Sequence, residues 1–222
     1  MLLDLHCHSR YSEDAVSSPA HIAAIAKRKG IVVALTDHNN ANGWRSYEGA
    51  CRKIGIGFIL GQEQKVFWEN SYSGELLFLF LNEEIKEKTV FGAIDEARAQ
   101  GALVSVSHPF RGIPNGKFSG LEKIAGKVDA IEVFNARCVH ARPNNLAMEF
   151  AENHSLGKTA GSDSHFPDEI GRAVVEARAD SLEGARKLIA KGKLSVRGSL
   201  LNPIVHIKAN FVKRGWIKKE TD

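Results

Sequence analysis

Seven short apolar runs, separated by amphipathic segments rich in alanine, constrain the fold of this chain more than any other feature. The runs lie at 2–5, 31–35, 57–60, 76–81, 102–106, 130–134 and, more weakly, around residue 159. Each run is short for a buried helix but suits a strand that is covered on both faces. Strands of this kind that alternate with helices predict a parallel sheet with helices packed around it.

Helical patterns occupy many of the intervals between these runs. Ser18 and Pro19 predict a helix start, because serine caps a first turn and proline is tolerated in it, and Gly30 predicts the end. Helical periodicity also covers three further segments, 89–100, 144–153 and 181–191. Seven strand–helix units in about 200 residues favour a small, distorted seven-stranded β/α barrel that forms a single domain over 1–222. An open doubly wound sheet is disfavoured, since no glycine-rich phosphate loop follows the first strand.

Composition limits the class of protein. The 222 residues are 43% hydrophobic and 25% charged, which is ordinary for a soluble globular chain. A net charge of +4 suits a phosphate-bearing partner but is too small to predict nucleic-acid binding. The three cysteines lie far apart in the sequence, and we find neither a signal peptide nor an apolar stretch of membrane-spanning length. We therefore expect a cytoplasmic protein with no membrane partner.

Side chains that bind metals recur where the apolar runs end. His6 and His8 close the first run, and residues two apart on a strand point the same way. Later runs are followed by Thr36-Asp37-His38, Gly61-Gln62-Glu63, Ser107-His108-Pro109 and Ser162-Asp163-Ser164-His165. The carboxyl ends of the strands of a β/α barrel meet at one face, so these groups would converge there. Imidazole and carboxylate ligands without thiolates suit zinc, manganese or iron.

The order and spacing of these clusters resemble those of the PHP family, named after polymerase and histidinol phosphatase. The resemblance covers about residues 2–175. The segments that carry it are 6–9, 12–14, 36–39, 61–63, 107–109, 132–137 and 161–165. It implies a distorted seven-stranded β/α barrel, a centre of two or three divalent ions (Zn, Mn or Fe), and hydrolysis of phosphoesters through a metal-bridged hydroxide.

By position, the resemblance also implies a set of metal ligands. These are His6, His8, Asp14, His38, Glu63, His108, Asp163 and His165. Asp14 is preferred to the adjacent Glu13. Many family members carry a histidine in the run at 76–81, where this chain has Glu75 followed by Leu76, so one ligand of a third metal position would be missing.

Two groups of residues are candidates for catalysis and for substrate binding. Asp163, His165 and His38 are candidate catalytic residues, because a carboxylate can bridge two ions and either histidine, like a metal-bound water, could protonate a leaving group. The candidates for binding the substrate are Arg111, Asn135, Arg137 and His140.

Other basic residues have weaker claims. His21, His154 and His206 lie outside the motifs, and we expect no role for them in the site. The basic segment 193–222 is predicted to close the barrel with a strand and a helix, and it is either a solvated face or a binding surface.

These features predict a metal-dependent phosphoesterase that acts on a small phosphorylated metabolite or a short nucleotide. Two alternatives remain open at this point. An exonuclease or nucleotide phosphodiesterase could use the basic C-terminal segment, although the modest net charge does not favour nucleic acid. A non-catalytic, metal-stabilised barrel that binds RNA or protein has less support, because a scaffold does not need open, water-activating coordination. Hydrolysis at carbon rests on analogy of fold alone.

Overall fold

Nine strands form one sheet in the computed structural model, which describes residues 1–112 and 117–221. They are β1 (Leu2–Cys7), β2 (Val32–Leu35), β3 (Ile59–Trp68), β4 (Ser71–Leu79), β5 (Leu103–Val106), β6 (Ala130–Asn135), β7 (Gly157–Gly161), β8 (Ala173–Glu176) and β9 (Ser195–Gly198). The order across the sheet is β7-β6-β5-β4-β3-β2-β1-β8-β9. The seven predicted runs correspond to β1–β7. The predicted count of seven does not describe the whole sheet, because β8 and β9 extend it.

The sheet is mixed, so the prediction of a parallel sheet is wrong in part. β1, β2 and β3 are parallel to one another, as are β5, β6 and β7. β4 is antiparallel to both of its neighbours, and β8 is antiparallel to β1 and β9. β3 continues well past the predicted end at residue 60, through Gln62, Glu63 and Gln64, and returns as β4 in a hairpin. Glu63 therefore lies within a strand and not at its end.

The barrel is nearly closed where β1 meets the end of β7. The backbone N–H of Asp163 donates to the carbonyl of His6 at 2.8 Å, and that of His8 donates to the carbonyl of Ser164 at 2.9 Å. Gly161 permits this approach, because a Cβ at that position would lie 2.2 Å from the Cβ of His6. Closure thus places the first and last sequence motifs side by side.

Seven α-helices accompany the strands of the described chain. They are α1 (Pro19–Lys29), α2 (Trp44–Ile54), α3 (Val90–Ala99), α4 (Leu121–Ile124), α5 (Arg142–Asn153), α6 (Leu182–Ala190) and α7 (Ile204–Lys213). The predicted start of α1 is confirmed: Ser18 accepts a hydrogen bond from the N–H of His21 at 3.2 Å. Thr89 and Ser181 cap α3 and α6 in the same way. With 12 residues at most, none of the described helices could cross a membrane.

Two apolar clusters hold these layers together. One packs side chains of α1, α2, α3 and α5, such as Ile22 and Tyr47, against Val33, Leu35 and other strand residues. The second takes at least one side chain from every strand between β1 and β8 and is joined by Ile189 of α6. Because it draws on eight successive strands, this cluster fills the space that the sheet encloses. The interior of the barrel is therefore a packed core below the site and not a channel.

Candidate metal centre

The histidines and carboxylates of the sequence motifs meet in one buried cluster at the mouth of the barrel. Nε2 of His6 lies 3.0 Å from Nε2 of His8 and 3.3 Å from Oε1 of Glu63. Nε2 of His8 lies 3.3 Å from Oδ1 of Asp163. All four residues are at most 2% exposed. Ionisable groups this close together and this deeply buried require protons or cations between them.

Three more of the predicted ligands extend the cluster. Oδ1 of Asp14 lies 3.3 Å from Nε2 of His165 and 3.5 Å from Nε2 of His38. Nδ1 of His38 lies 2.8 Å from Oε2 of Glu63. Glu63 therefore contacts both halves of the cluster, with one oxygen toward His6 and the other toward His38.

The ligand atoms fall into three groups, in each of which three atoms lie within 4.8 Å of one another. The groups are His6-His8-Asp163, His8-His38-His165 and His38-Glu63-Glu75. His8 and His38 each belong to two groups, so the groups are neighbours. The arrangement is compatible with more than one divalent ion in the same cavity.

Three buried atoms of the cluster have no hydrogen-bond partner among the described residues: Oδ1 of Asp14, Nδ1 of His38 and Oε2 of Glu63. Each lies within 3.5 Å of another ligand atom, but these contacts lack the angles of hydrogen bonds. An unpaired buried polar atom costs about 1–3 kcal/mol, and native proteins rarely keep several in one place. Nitrogen and oxygen atoms in such a set suit a divalent cation, so the residues present fit the metal that the family resemblance implies.

The structure separates Asp14 from Glu13. The side chain of Asp14 is 11% exposed and faces the histidines, whereas that of Glu13 is 62% exposed. Glu13 accepts a hydrogen bond from Nζ of Lys213 at 2.9 Å, and this bond lowers its pKa. The geometry therefore favours Asp14 as the candidate ligand.

Glu75 joins the cluster at the position where the sequence predicted a missing ligand. Nε2 of His108 lies 3.1 Å from Oε1 of Glu63 and 3.4 Å from Oε2 of Glu75. Glu75 is 3% exposed, although it precedes an entirely apolar run in β4. An acid directly before buried apolar residues is the signal from which the sequence could have identified this residue.

Glu132 orients two of the candidate ligands from beneath. Its Oε1 lies 2.9 Å from Nδ1 of His6, and its Oε2 accepts a hydrogen bond from the backbone N–H of His108 at 2.8 Å. When Nδ1 of His6 donates to Glu132, the lone pair of Nε2 is left to face the cluster. Glu132 lies in the motif segment 132–137, but its contact with His6 emerges only from the structure.

A second buried carboxylate supports His8. Oδ1 of Asp37 accepts a hydrogen bond from Oγ of Ser12 at 2.6 Å, and the same Oγ lies 3.1 Å from Nδ1 of His8. The backbone N–H of His38 also donates to this Oγ at 3.1 Å. Ser12 and Asp37 therefore fix one histidine ring and the backbone of another.

The histidines of the cluster differ in their electrostatic surroundings. Burial disfavours the charged form of His6, but the carboxylates of Glu63 and Asp163 outweigh this and raise its pKa well above the usual value. Burial lowers the pKa of His8 well below the usual value, and the positive charge of His38 adds to the effect. The pKa values of these two adjacent rings are therefore shifted in opposite directions.

The carboxylates differ as well. Burial opposes the charged form of Asp163, yet His6 and Arg111 hold its pKa well below the usual range. Burial raises the pKa of Glu75, and the neighbouring carboxylate of Glu63 raises it further. Among the carboxylates of the cluster, Glu75 is thus the one whose pKa is raised, whereas the pKa values of Asp14, Glu63 and Asp163 are lowered.

Backbone strain marks two of the candidate ligands. His108 has φ 26° and Asp163 has φ 51°, in the left-handed region that side chains other than glycine seldom adopt. Such residues persist where the surrounding structure holds them, and they cluster at functional sites. Each of them lies two residues after the end of a strand, His108 after β5 and Asp163 after β7.

Among the four residues predicted to bind substrate, Arg111 forms an ion pair with a candidate ligand, Asp163. Its Nη2 lies 2.9 Å from Oδ2 of Asp163, and its side chain is 6% exposed. Its Nε has no hydrogen-bond partner among the described residues. A buried guanidinium with a free donor beside the cluster is placed to bind an anion there.

Asn135 and Arg137 are engaged by the protein itself. Nδ2 of Asn135 donates to Oε2 of Glu132 at 3.0 Å and to Oδ2 of Asp163 at 3.2 Å. Arg137 donates to Oε2 of Glu169 at 2.9 Å and to the Val205 carbonyl at 3.2 Å. These contacts favour positioning roles over the substrate contacts that the sequence predicted.

Two cavities open beside the cluster. The inner cavity, about 200 Å³, is lined by candidate ligands and by residues of α7. The outer cavity, about 530 Å³, is lined by residues of the loops that follow β5 and β6, such as Phe110, Lys117 and His140, and by residues of α5, such as Arg142. Arg111 lines both. His140 therefore lies in the outer cavity and not at the cluster.

The structure also places His206 at the inner cavity. The sequence predicted no role for it, but its ring lines the inner cavity and its Nε2 donates to the carbonyl of Arg137 at 3.0 Å. The contact joins α7 to the loop after β6 across 69 residues of sequence. No local pattern in the sequence predicts a contact of that range.

Comparison with known families places this fold and site. The chain belongs to the PHP domain family: the model of the PHP domain matches residues 4–131, and that of the PHP-associated region matches residues 141–193. The predicted family is thereby confirmed. Of the nine residues that form the cluster, seven, including Glu75, fall in the first matched region, and Asp163 and His165 fall in the second.

Individual relatives resemble the chain to different extents. A functionally uncharacterised protein of Methanocaldococcus jannaschii is 31% identical over 222 residues, which cover 97% of this chain and 87% of that protein. A 3',5'-nucleoside bisphosphate phosphatase of Chromobacterium violaceum is 38% identical over 66 residues, only 30% of this chain and 23% of the phosphatase.

A solved structure from Bacteroides vulgatus shares the fold. It is a two-domain protein described as containing a PHP-like metal-dependent phosphoesterase, and it matches with a TM-score of 0.74 at 21% identity. The match covers 90% of this chain and 65% of the other, so this chain spans slightly less than two thirds of that protein. At this identity the likeness shows a common architecture.

Proposed function

We propose that this protein is a metal-dependent hydrolase of phosphoesters that acts on a small phosphorylated substrate. The observation that carries the proposal is the buried cluster itself, in which imidazoles and carboxylates from across the chain surround one cavity with a guanidinium at its edge. Divalent ions bound there would activate water and neutralise charge on the phosphoryl group. Membership of the PHP domain family supports the same conclusion.

The candidate ligands would hold these ions as the family resemblance implies, with Glu75 added to the set. Oδ1 of Asp163 faces His8, and its Oδ2 contacts Arg111, so this carboxylate lies between the metal cluster and the cationic edge of the cavity. Nδ1 of His165 donates to the carbonyl of Asp163 at 2.8 Å, which leaves its Nε2 directed at Asp14. His38 is held between two carboxylates. Both histidines would serve first as ligands.

Arg111 would orient the substrate. Its free Nε and its position between the two cavities suit a phosphoryl group in the inner cavity and a leaving group in the outer one. The outer cavity combines Phe110 and other apolar residues with Lys117, His140 and Arg142. An organic leaving group with an apolar part and some negative charge would complement this lining.

A small substrate is favoured over long nucleic acid because α7 bounds the inner cavity. A short nucleotide remains within this class, and the partial match to a nucleoside bisphosphate phosphatase supports it. Zinc, manganese and iron all suit the nitrogen and oxygen ligands. All three cysteines are buried and free, which supports our proposal of a cytoplasmic location.

The experiment is hydrolysis of a chromogenic phosphomonoester and of a matched phosphodiester by protein loaded with manganese. Controls are the same protein treated with a chelator and the Asp163→Asn variant. We expect turnover of the monoester that the chelator abolishes and manganese restores.

Preferential cleavage of the diester would replace the monoesterase with a nuclease-like phosphodiesterase. Full metal occupancy without turnover of either ester or of a panel of small phosphorylated metabolites would contradict the proposal. Salt-dependent binding of RNA by such an inactive protein would support the metal-stabilised binding barrel instead.

A further inference from the structure

α7 forms one wall of the inner cavity. Four of its residues, His206, Ala209, Asn210 and Lys213, line the cavity together with candidate ligands. Ala209, Asn210 and Lys213 lie three, four and seven residues after His206, so the four residues share one face of the helix. Neither family model reaches this helix, since the second match ends at residue 193. The wall is therefore a feature of this chain beyond the matched regions.

Contacts on both sides hold α7 in this place. Before the helix, the N–H of Leu201 donates to the carbonyl of Ala136 at 2.7 Å. After it, Nζ of Lys219 donates to the carbonyl of Arg10 at 2.8 Å, and Glu220 accepts a hydrogen bond from the N–H of Ser18 at 2.8 Å. The C-terminal segment thus crosses the mouth of the barrel from the loop after β6 to the loop after β1.

Lys213 brings a cation to the cavity from this wall. Its Nζ lies 2.9 Å from Oε1 of Glu13 and 3.5 Å from Oδ2 of Asp14, and its side chain is 39% exposed. Arg111 makes a similar contact with another candidate ligand: its Nη2 lies 2.9 Å from Oδ2 of Asp163. Arg137, which also lines the cavity, is already bound by Glu169 and the Val205 carbonyl.

Arg111 and Lys213 therefore contact carboxylates of two different candidate ligands in one cavity. A carboxylate that binds a divalent ion gives up much of its attraction for a nearby ammonium group. A phosphoryl group that enters the cavity carries non-bridging oxygens that can replace this partner. Lysine is suited to the role, since it presents a compact charge on a flexible chain.

We propose that Lys213 is a phosphate-binding residue of this site, which receives a non-bridging oxygen of the substrate in the cavity that Arg111 also lines. The inference rests on the proposed phosphoesterase function and adds a residue to it. It also gives α7 a part in substrate binding: the helix carries the second cation of an anion clamp whose first cation is on the loop after β5.

The test is binding of inorganic phosphate to the full-length, metal-loaded protein, measured by calorimetry, together with KM and kcat for a phosphomonoester. The variants are Lys213→Met, Lys213→Arg and Glu13→Gln, with Lys218→Met as the matched control. Lys218 belongs to the same C-terminal segment, is exposed and does not line the cavity. Metal content is measured for every variant.

We expect Lys213→Met to weaken phosphate binding and raise KM by about tenfold, the effect of losing one charge-assisted hydrogen bond, with metal content unchanged. Lys213→Arg should recover most of the affinity. Glu13→Gln and Lys218→Met should remain within about twofold of the wild type, because neither removes the ammonium group from the cavity.

Three results would overturn the inference: phosphate affinity unchanged in Lys213→Met, equal weakening in Glu13→Gln, or loss of metal from Lys213→Met, which would make Lys213 a support for Asp14. Failure of the phosphoesterase proposal has a different signature. If the wild-type protein bound phosphate through Lys213 but hydrolysed no ester, the anion site would stand and the phosphoesterase proposal would be wrong.

Discussion

The inner and outer cavities share Arg111 but are built from opposite kinds of residue. The inner cavity is the smaller, at about 200 Å³ against about 530 Å³, and carboxylates and imidazoles dominate its lining. Among the described residues that line the outer cavity, none is acidic, and apolar side chains alternate with Lys117, His140 and Arg142. One cavity concentrates negative charge that needs cations, and the other offers positive charge and apolar surface to an organic group.

This difference indicates in which of the two cavities amino-acid substitutions can be tolerated. The inner residues are buried and interlocked: Glu63, for instance, contacts His6, His38 and His108 at once. Removing one member leaves its buried partners without compensation, which is costly in a low-dielectric site. Lys117, His140 and Arg142, which line the outer cavity and not the inner one, are exposed. Substitutions there should alter which substrate binds without disturbing the metal centre.

The largest effect is expected from Asp163→Asn. The substitution removes the charge that contacts His8 and Arg111, and we expect turnover to fall by about a thousandfold or more, with reduced metal content and a preserved fold. Steady-state kinetics, metal analysis and circular dichroism measure these three outcomes. Full activity in this variant would remove the inner cavity from the chemistry.

Glu75→Gln is expected to come next. If Glu75 serves as a ligand in the group with His38 and Glu63, the variant should bind fewer ions per chain, and turnover should fall by about 10–100-fold. Glu75→His, which restores the residue type that many family members carry, should recover metal binding. An unchanged metal count in Glu75→Gln would place this residue outside the centre.

Glu132→Gln should have a smaller effect, because Glu132 acts through His6 and His108 and is not one of the proposed ligands. We expect metal affinity to fall by about tenfold while kcat at saturating metal changes little. Competition with a fluorescent chelator measures the affinity. If kcat at saturating metal fell as far as in Asp163→Asn, Glu132 would belong to the reacting centre.

The smallest effect is expected in the outer cavity. Arg142→Ala should raise KM about three- to tenfold for a substrate with an anionic leaving group and leave kcat and metal content unchanged. Arg28→Ala, an exposed arginine of α1, is the matched control. If KM were the same for charged and uncharged leaving groups, in the wild type and in the variant alike, the outer cavity would not recognise the charge of the leaving group. The proposed difference between the two cavities would then be wrong.

Much of the fold could be predicted because its signals are local. The capping of α1 by Ser18 and the apolar runs of β1–β7 follow from short stretches of sequence. The continuation of β3 could not be read in this way, since Gln62, Glu63 and Gln64 resemble a loop by composition. They are polar because their side chains are buried among other polar groups, and local pattern does not distinguish that case from exposure to solvent.

The candidate site was predictable to the extent that its residues recur in motifs. Glu75 was missed because a carboxylate takes the position where the resemblance leads one to expect histidine. Lys213 and His206 were missed as parts of the site for a different reason. Lys213 meets Glu13 across 200 residues of sequence, and only the folded chain brings the two together.

The most direct test of the account is a titration of metal-stripped protein with manganese, in which bound metal and phosphomonoester turnover are measured on the same samples. We expect no turnover without metal. Turnover should rise with the amount of bound manganese and stop rising when the metal sites of the inner cavity are filled. Turnover that is independent of bound metal would contradict it, as would a fully loaded protein that hydrolyses no phosphoester.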